Sequence, residues 1–169
     1  LTMTCAIRYL KLFNKEQELL TVMEDFCGSL EYCSIISTEN DPIMMRNVLA
    51  RMAELVPLLG FDIARFLKRL MSLLLHYPYY TNSPELLDEC AKLFYAMMET
   101  CSPRFKCGQV NNHCLRILQT IDQKMEFAPR CRNVILLLQL IQSYSPSTVQ
   151  QFNPSEQMQR LLQESTICF

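Results

Sequence analysis

The residues best suited to chemistry in this chain of 169 residues are its nine cysteines and two histidines. The set that lies close enough in sequence to suggest zinc ligands comprises Cys101, Cys107, His113 and Cys114. Structural zinc sites, however, repeat a pair of ligands two to four residues apart, whereas Cys107 and His113 are six residues apart and have no second pair. A nucleophilic cysteine would need an activating histidine, and His76 belongs to a different predicted helix. The sequence therefore predicts no metal, no cofactor and no thiol chemistry.

Two other patterns that often carry catalysis also lack the required spacing. Asp88 and Glu89 are adjacent, and neighbouring helix residues point about 100° apart, so these carboxylates cannot share a proton and are expected to be solvated charges. Gly28, Gly60 and Gly108 each stand alone, without the lysine and hydroxyl residue that complete a phosphate-binding loop. We therefore expect a protein that is not an enzyme.

The cysteines are expected to serve as small apolar side chains. Their number is odd, none forms a C-x-x-C pair, and Cys90 and Cys131 fall inside periodic apolar runs. The unbroken apolar runs are far shorter than the roughly 20 residues that span a bilayer. These features predict buried free thiols in a soluble, intracellular protein with no membrane partner. We expect the protein in the cytoplasm and nucleus.

A basic stripe is the one surface feature with a candidate binding role. Lys68 and Arg69 lie three and four residues after Arg65, which places all three along one edge of a helix. An arginine can hold a carboxylate through two parallel hydrogen bonds, so this edge is a candidate site for an acidic segment of a partner protein. An ordinary solvated helix face is the alternative. The formal net charge of −1 provides no field that would attract nucleic acid, and we expect no nucleic-acid partner.

The elements that carry these residues are predicted to be helices throughout. Only three glycines and no tryptophan accompany ten methionines and many leucines, a composition that favours helix over sheet. Residues 41–77 form the central helical hairpin. Asp41 and Pro42 are suited to begin its first helix, and Gly60 followed by Asp62 is suited to end that helix and cap the next.

The remaining helices follow from apolar positions that recur three and four residues apart. They are predicted at 3–13, 16–36, 84–101, 104–124, 127–144, 149–152 and 154–164. Ser83 is suited to cap the helix that begins at Pro84. Pro78 predicts a loop at 77–82, because proline disfavours helical backbone in the residue before it. The last five residues are expected to form a loose tail.

The helix starts at 41, 83 and about 127 are separated by 42 and 44 residues, which matches the period of about 40 to 47 residues in HEAT and armadillo repeats. We therefore predict one all-α domain over 1–169, in which antiparallel helical hairpins stack as a short HEAT-like or armadillo-like α-solenoid. Its parts would be a leading helix pair at 1–40, repeats at 41–82 and 83–126, C-terminal helices at 127–164 and a tail at 165–169. Because the chain begins with Leu1 rather than Met, we expect it to be a piece of a longer protein.

One stretch of the chain, residues 46–118, resembles a known family. The residues that carry the resemblance are Ala50-Arg51, Leu59-Gly60, Arg65-Phe66-Leu67-Lys68-Arg69-Leu70 and Pro103-Arg104. Together they resemble the C-terminal HEAT region of the second TEL-two-interacting subunit of the Triple-T co-chaperone complex.

This resemblance implies a helical-repeat scaffold with the TEL-two subunit and the first TEL-two-interacting subunit as its partners. It also implies that the chain is the C-terminal part of a longer protein. The Triple-T complex acts with the ninety-kilodalton heat-shock chaperone in the maturation of phosphatidylinositol-3-kinase-related kinases. Two alternatives stay open on the residues alone. One is a helical-repeat adaptor that binds nucleic acid or another protein complex, and the other is a thiol or zinc enzyme.

Overall fold

A computed structural model of the protein describes residues 16–36, 42–80, 83–100 and 108–167. Within these ranges the chain is all-α, as predicted, with eight α-helices, two 3-10 helices and no strand. The α-helices are α1 (Glu16–Ile36), α2 (Pro42–Leu59), α3 (Leu67–Tyr80), α4 (Pro84–Thr100), α5 (Gly108–Asp122), α6 (Arg132–Tyr144), α7 (Pro146–Gln151) and α8 (Glu156–Ile167). The 3-10 helices span Gly60–Arg65 and Ala128–Arg130.

The first described helix, α1, has the bounds that the apolar periodicity predicts. Gly28 lies inside it without ending it. Four of its side chains recur at spacings of three and four residues and are buried: Leu19, Met23, Cys27 and Leu30. The helix predicted at 3–13 and the turn predicted at 37–40 lie outside the described residues.

The connection between α2 and α3 is longer than the tight turn predicted from Gly60 and Asp62. α2 ends at Leu59, and Gly60 takes a positive φ of 58°, a conformation that costs other residues about 1–2 kcal/mol. The chain then enters a 3-10 helix directly, so Asp62 lies inside that helix and pairs with Arg65 at 3.6 Å. α3 begins only at Leu67, and the prediction that Asp62 caps it is wrong.

Two prolines lie within helices near their C-terminal ends. Pro57 is exposed in α2, which ends two residues later. α3 continues through Pro78 to Tyr80, so the loop predicted at 77–82 begins later than expected. Pro78 lacks the N–H that would bond to the carbonyl of Leu74, and the helix tolerates this loss because only two residues follow.

The start of α6 also differs from the prediction of one helix over 127–144. Pro129 lies in a 3-10 helix, and Cys131 has extended backbone with φ −92° and ψ 108°. This extended residue separates the 3-10 helix from α6, which begins at Arg132. At the other end of the chain, α7 begins at Pro146, three residues before the short helix predicted at 149–152.

The C-terminal helix α8 is longer than predicted. Ser155 precedes it, and the Ser155 hydroxyl oxygen accepts a hydrogen bond from the backbone N–H of Met158 at 3.3 Å, which is an N-cap. α8 continues to Ile167, and Ser165 is buried with its hydroxyl bonded to the carbonyl of Leu162 at 2.9 Å. The loose tail predicted at 165–169 is therefore wrong for 165–167.

The helices pack as two sets of alternate members. α2 contacts α4, α4 contacts α6, and α6 contacts α8, whereas α1 contacts α3, α3 contacts α5, and α5 contacts α7. Consecutive helices, such as α1 with α2 and α3 with α4, connect the two sets. One continuous apolar core results, and its fully buried side chains include Met23, Leu49, Leu74, Leu93 and Leu118.

Side-chain contacts give the relative direction of three of these helices. α4 and α6 meet at two successive points near their N-terminal ends, because the Cys131 thiol just before α6 lies 3.4 Å from the carbonyl oxygen of Pro84 and Asn133 bonds to Asp88. α4 and α6 therefore run parallel.

α6 and α8 run in opposite directions. Gln139 bonds to the carbonyl of Ser165, whereas Gln142, later in α6, bonds to the carbonyl of Leu162, earlier in α8. The alternate helices thus keep one direction from α4 to α6 and reverse it at α8.

Candidate interaction surface

The three residues of the predicted basic stripe lie in different surroundings. Arg65 is in the first 3-10 helix, with a side chain that is 68% exposed and 3.6 Å from Asp62. Lys68 is in the first turn of α3 and is exposed. Arg69 is partly buried because its guanidinium group contacts α1. The three residues therefore do not present one uniform basic edge.

Arg69 is held by two carboxylates of α1. Its Nε and Nη2 donate to the two carboxylate oxygens of Glu31, the Nη2 bond being 2.6 Å long, and its Nη1 donates to Glu24. This fork on a carboxylate is the strong, directional form of an ion pair. The hydrogen bond from Arg69 lowers the pKa of Glu31, and the two carboxylates raise the pKa of Arg69. The Arg69 guanidinium group and the Glu31 carboxylate are therefore both charged where they join α1 to α3.

A buried thiol lies between these carboxylates along α1. Cys27 follows Glu24 by three residues and precedes Glu31 by four, so the three side chains share one helix face. Burial raises the pKa of the Cys27 thiol to about 11, although the positive charge of Arg69 opposes that rise. The thiol is protonated at neutral pH and packs as part of the core.

The acidic bias of α1 explains why Arg69 turns toward it. Within its bounds α1 carries five carboxylates and no lysine or arginine. An acidic segment is the partner that the basic stripe predicts, and for Arg69 the same chain supplies it. This charge bias is visible in the sequence and was the signal that could have indicated the contact. Arg65 and Lys68 are the two stripe residues whose side chains are exposed.

Asp88 is not the solvated charge that its sequence context suggests. Its two carboxylate oxygens accept hydrogen bonds from the backbone N–H and the side-chain amide of Asn133, each at 2.7 Å. Asn133 lies in the first turn of α6, whose preceding residue Cys131 makes no side-chain capping bond. The Asp88 carboxylate on α4 therefore accepts a backbone N–H of the first turn of α6, as a capping side chain would, and it joins the two helices. Its neighbour Glu89 is half-buried and lies 3.8 Å from Lys92.

The four cysteines with described side chains are free and buried, as predicted for Cys90 and Cys131. Burial raises the pKa of the Cys90 thiol, and it raises the pKa of Cys114 and of Cys131 to about 11. The Cys131 thiol also lies 3.4 Å from the carbonyl oxygen of Pro84. Protonated, enclosed thiols are poor nucleophiles and poor metal ligands, so these four residues contribute packing.

The residues considered as zinc ligands lie partly outside the described ranges, since neither Cys101 nor Cys107 is described. Among the side chains that are described, no group of three or more His, Cys, Asp and Glu residues is arranged to hold a metal ion. His113 is half-buried, and burial together with the charge of Arg116 lowers its pKa. His113 is therefore neutral at pH 7.

Between the helices of the described part of the chain lie a small cavity and an open groove. The cavity, between α3, α4, α5 and α6, has a volume of about 10 Å³, too small for an organic ligand. The groove lies between α8 and the turn after α5, has a volume of about 380 Å³, and is lined by Met125, Glu126, Pro129, Gln157, Arg160, Leu161 and Glu164. No helix in the described part of the chain is both long enough and apolar enough to cross a bilayer.

Comparison with protein-family models, with curated proteins and with solved structures finds no match to this chain.

Proposed function

We propose that this chain is a non-catalytic helical-repeat scaffold that binds other protein subunits. The observation that carries the proposal is the packing of alternate helices, α2 on α4 and α4 on α6, with α4 parallel to α6. Stacked helical hairpins place every second helix side by side in the same direction, whereas neighbours in an up-and-down bundle are consecutive and antiparallel. This packing supports a short HEAT-like α-solenoid from α2 to α6.

The repeat in this proposal does not extend to α7 and α8. α4 begins 42 residues after α2, within the repeat period, but α6 begins 48 residues after α4. α7 has only six residues, and α8 runs antiparallel to α6. The exposed residues of α8 are mostly polar or charged, as in helices that cap a repeat array.

The residues that resemble the Triple-T subunit have structural roles in this hairpin. Gly60 ends α2 with its positive φ, Phe66 and Leu70 are buried, and Arg69 joins α3 to α1. These roles support a shared hairpin geometry. We extend the proposal to the function that the resemblance implies, assembly with the TEL-two and first TEL-two-interacting subunits in the maturation of phosphatidylinositol-3-kinase-related kinases.

The partner surface in this proposal is centred on Arg65 and Lys68. Both side chains are exposed; Arg65 ends the 3-10 helix that leads into α3, and Lys68 lies in the first turn of α3. Arg69 has a different role, because reversing its charge would break its bonds to Glu24 and Glu31 and displace α1. A binding test therefore has to leave Arg69 in place.

The test is co-purification of partner subunits with the tagged chain, identified by mass spectrometry. Arg65→Glu combined with Lys68→Glu should reduce recovery of the two Triple-T subunits at least about tenfold, because an acidic partner segment would then meet like charge. The matched control reverses two exposed arginines elsewhere, Arg130→Glu and Arg160→Glu, and should leave recovery unchanged.

Thermal unfolding of both double variants shows whether a loss of binding reflects a loss of folding. Recovery of the same subunits at the same level from the Arg65 and Lys68 variant would reject this surface. Failure of the wild-type chain to recover either subunit would reject the Triple-T assignment.

A further inference from the structure

The exposed side of the α4 and α6 contact carries two tyrosines and one carboxylate, Tyr95, Glu99 and Tyr144, which we call the tyrosine surface. Tyr95 and Glu99 lie one turn apart on α4, and the Tyr95 hydroxyl donates to Glu99 Oε1 at 3.3 Å. Tyr144 is the last residue of α6 and is 42% exposed. Glu99 and Tyr144 each lie three turns after the bonded pair Asp88 and Asn133, so the parallel packing of α4 and α6 places them opposite each other. Burial raises the pKa of Tyr95, and the charge of Glu99 and the hydrogen bond to it add to the rise, so the Tyr95 phenol is neutral at pH 7.

The Glu99 carboxylate on this surface has no oppositely charged partner among the described residues. On the same helix, Asp88 is bound to Asn133, and Glu89 lies beside Lys92. α6 carries no charged residue after Arg132. Among the described residues, the only hydrogen bond of Glu99 is the one it accepts from Tyr95, and it forms no ion pair. The surface is therefore locally negative.

The tyrosine surface borders both a charged and two apolar side chains. Lys92, one turn before Tyr95 on α4, lies 3.8 Å from Glu89. Ala96 on α4 and Leu140 on α6 are partly buried and pack against the core next to Tyr95 and Tyr144. A cation placed over aromatic rings is attracted by their negative faces, more strongly where apolar neighbours exclude water. Two rings and a carboxylate next to apolar side chains are the combination that favours a bound cationic side chain.

We propose that the tyrosine surface binds an arginine side chain from a protein partner. The guanidinium plane would stack on the tyrosine rings, and its N–H groups would donate to Glu99, a geometry that suits arginine better than lysine. This contact has the opposite charge to the acidic segment proposed for Arg65 and Lys68. It does not depend on that proposal, and either can fail without the other.

The test uses N-acetyl-arginine methylamide as the probe and follows the ring resonances of the seven tyrosines by NMR. The probe should move the resonances of Tyr95 and Tyr144, assigned from Tyr→Phe variants, and leave the other five in place. N-acetyl-citrulline methylamide has the same shape without the charge and should bind at least about fivefold more weakly. Equal binding of the two compounds, or no movement of either resonance, would overturn the proposal.

Variants test the role of each group. Glu99→Gln and Tyr144→Leu should each weaken probe binding about fivefold, whereas Tyr144→Phe, which retains the ring, should keep most of the affinity. Glu126→Gln removes a carboxylate from the separate groove beside α8 and is the matched control. Unchanged binding by Glu99→Gln would rule out the carboxylate as the counter-charge.

A cation from the same chain is the competing occupant, since Arg104 and Lys106 follow α4 and lie outside the described residues. In an Arg104→Gln, Lys106→Gln variant without probe, unchanged Tyr95 and Tyr144 resonances would support an external arginine. Shifted resonances together with tighter probe binding would show that the chain already fills the surface and would overturn the proposal.

Discussion

Two helix contacts, that of α1 with α3 and that of α8 with α6, differ in their polar chemistry. α1 meets α3 through charges, with Glu24 and Glu31 around the Arg69 guanidinium group. α8 meets α6 through neutral amides, since Gln139 and Gln142 each donate to a backbone carbonyl of α8 at 3.0 Å. Both contacts also bury apolar side chains, which makes the polar groups the difference between them.

This difference determines which conditions each helix responds to. An ion pair at a partly exposed site is screened by salt and is lost when its carboxylate is protonated. A hydrogen bond between an amide and a carbonyl carries no net charge and does not titrate in the ordinary pH range. The attachment of α1 should therefore depend on salt and pH, whereas that of α8 should not.

The largest effect is expected from the buried apolar side chains, which both contacts contain. Met23 in α1 and Met158 in α8 are both fully buried, so Met23→Ala and Met158→Ala should each lower the free energy of unfolding by about 2–5 kcal/mol. Urea unfolding at low and high salt should give the same loss, because the lost contacts are apolar. A loss below about 1 kcal/mol for Met23→Ala would mean that α1 does not unfold together with the rest of the chain.

A smaller effect is expected from the neutral contact. Gln142→Ala removes the bond to the Leu162 carbonyl and should cost about 1 kcal/mol, with no dependence on salt. Gln163 is exposed on α8, and Gln163→Ala is the control that should change the free energy of unfolding by less than about 0.5 kcal/mol. A strong salt dependence for Gln142→Ala would remove the distinction between the two contacts.

A gain of stability is expected within α1 itself. A Cβ atom at Gly28 would meet no atom within 4 Å, so Gly28→Ala should raise the free energy of unfolding by about 0.7 kcal/mol through helix propensity. The same change at Gly60, where φ is 58°, should lower it. Chemical unfolding of the two variants checks the opposite signs, and a destabilised Gly28→Ala chain would contradict the helical environment of that residue.

The smallest effect is expected from the charged contact, and it depends on conditions. Glu31→Gln should cost about 0.5 kcal/mol at neutral pH and low salt, and nearly nothing in about 1 M salt. Because the folded pKa of Glu31 is lowered from 4.5, its contribution is present above pH 4.5 and is lost as the pH falls through the lower folded value. Wild type and variant should therefore converge in stability in acid, as followed by urea unfolding across that range. A difference that persists in both salt and acid would show that the cost is steric.

Local rules predicted the parts of the fold that depend on a few neighbouring residues. The bounds of α1 follow from its apolar spacing, and the start of α4 follows from Ser83, whose hydroxyl oxygen accepts the N–H of Leu86 at 3.3 Å. The same rules were wrong at Asp62, which lies inside a 3-10 helix instead of capping α3, and at Pro78, where α3 continues for two more residues.

The contacts that define the candidate surface were not predictable in this way. Arg69 binds a carboxylate 38 residues earlier, and Asp88 binds an amide 45 residues later. Their partners depend on which helices lie side by side, and the spacing of residues along one helix gives only the face on which each side chain lies. The acidic bias of α1 was a partial signal for Arg69, whereas for Asp88 the only hint was the weak capping residue at Cys131.

The bond from Asp88 to Asn133 has a consequence for the order in which the chain folds as it is synthesised. A ribosome releases the acceptor before the donor, because α4 precedes α6 in the chain. When the first turn of α6 emerges, its cap is therefore already available on α4, and α6 is expected to become helical only against an α4 that has already folded. The carboxylate thus gives assembly a direction from the N-terminal to the C-terminal helices.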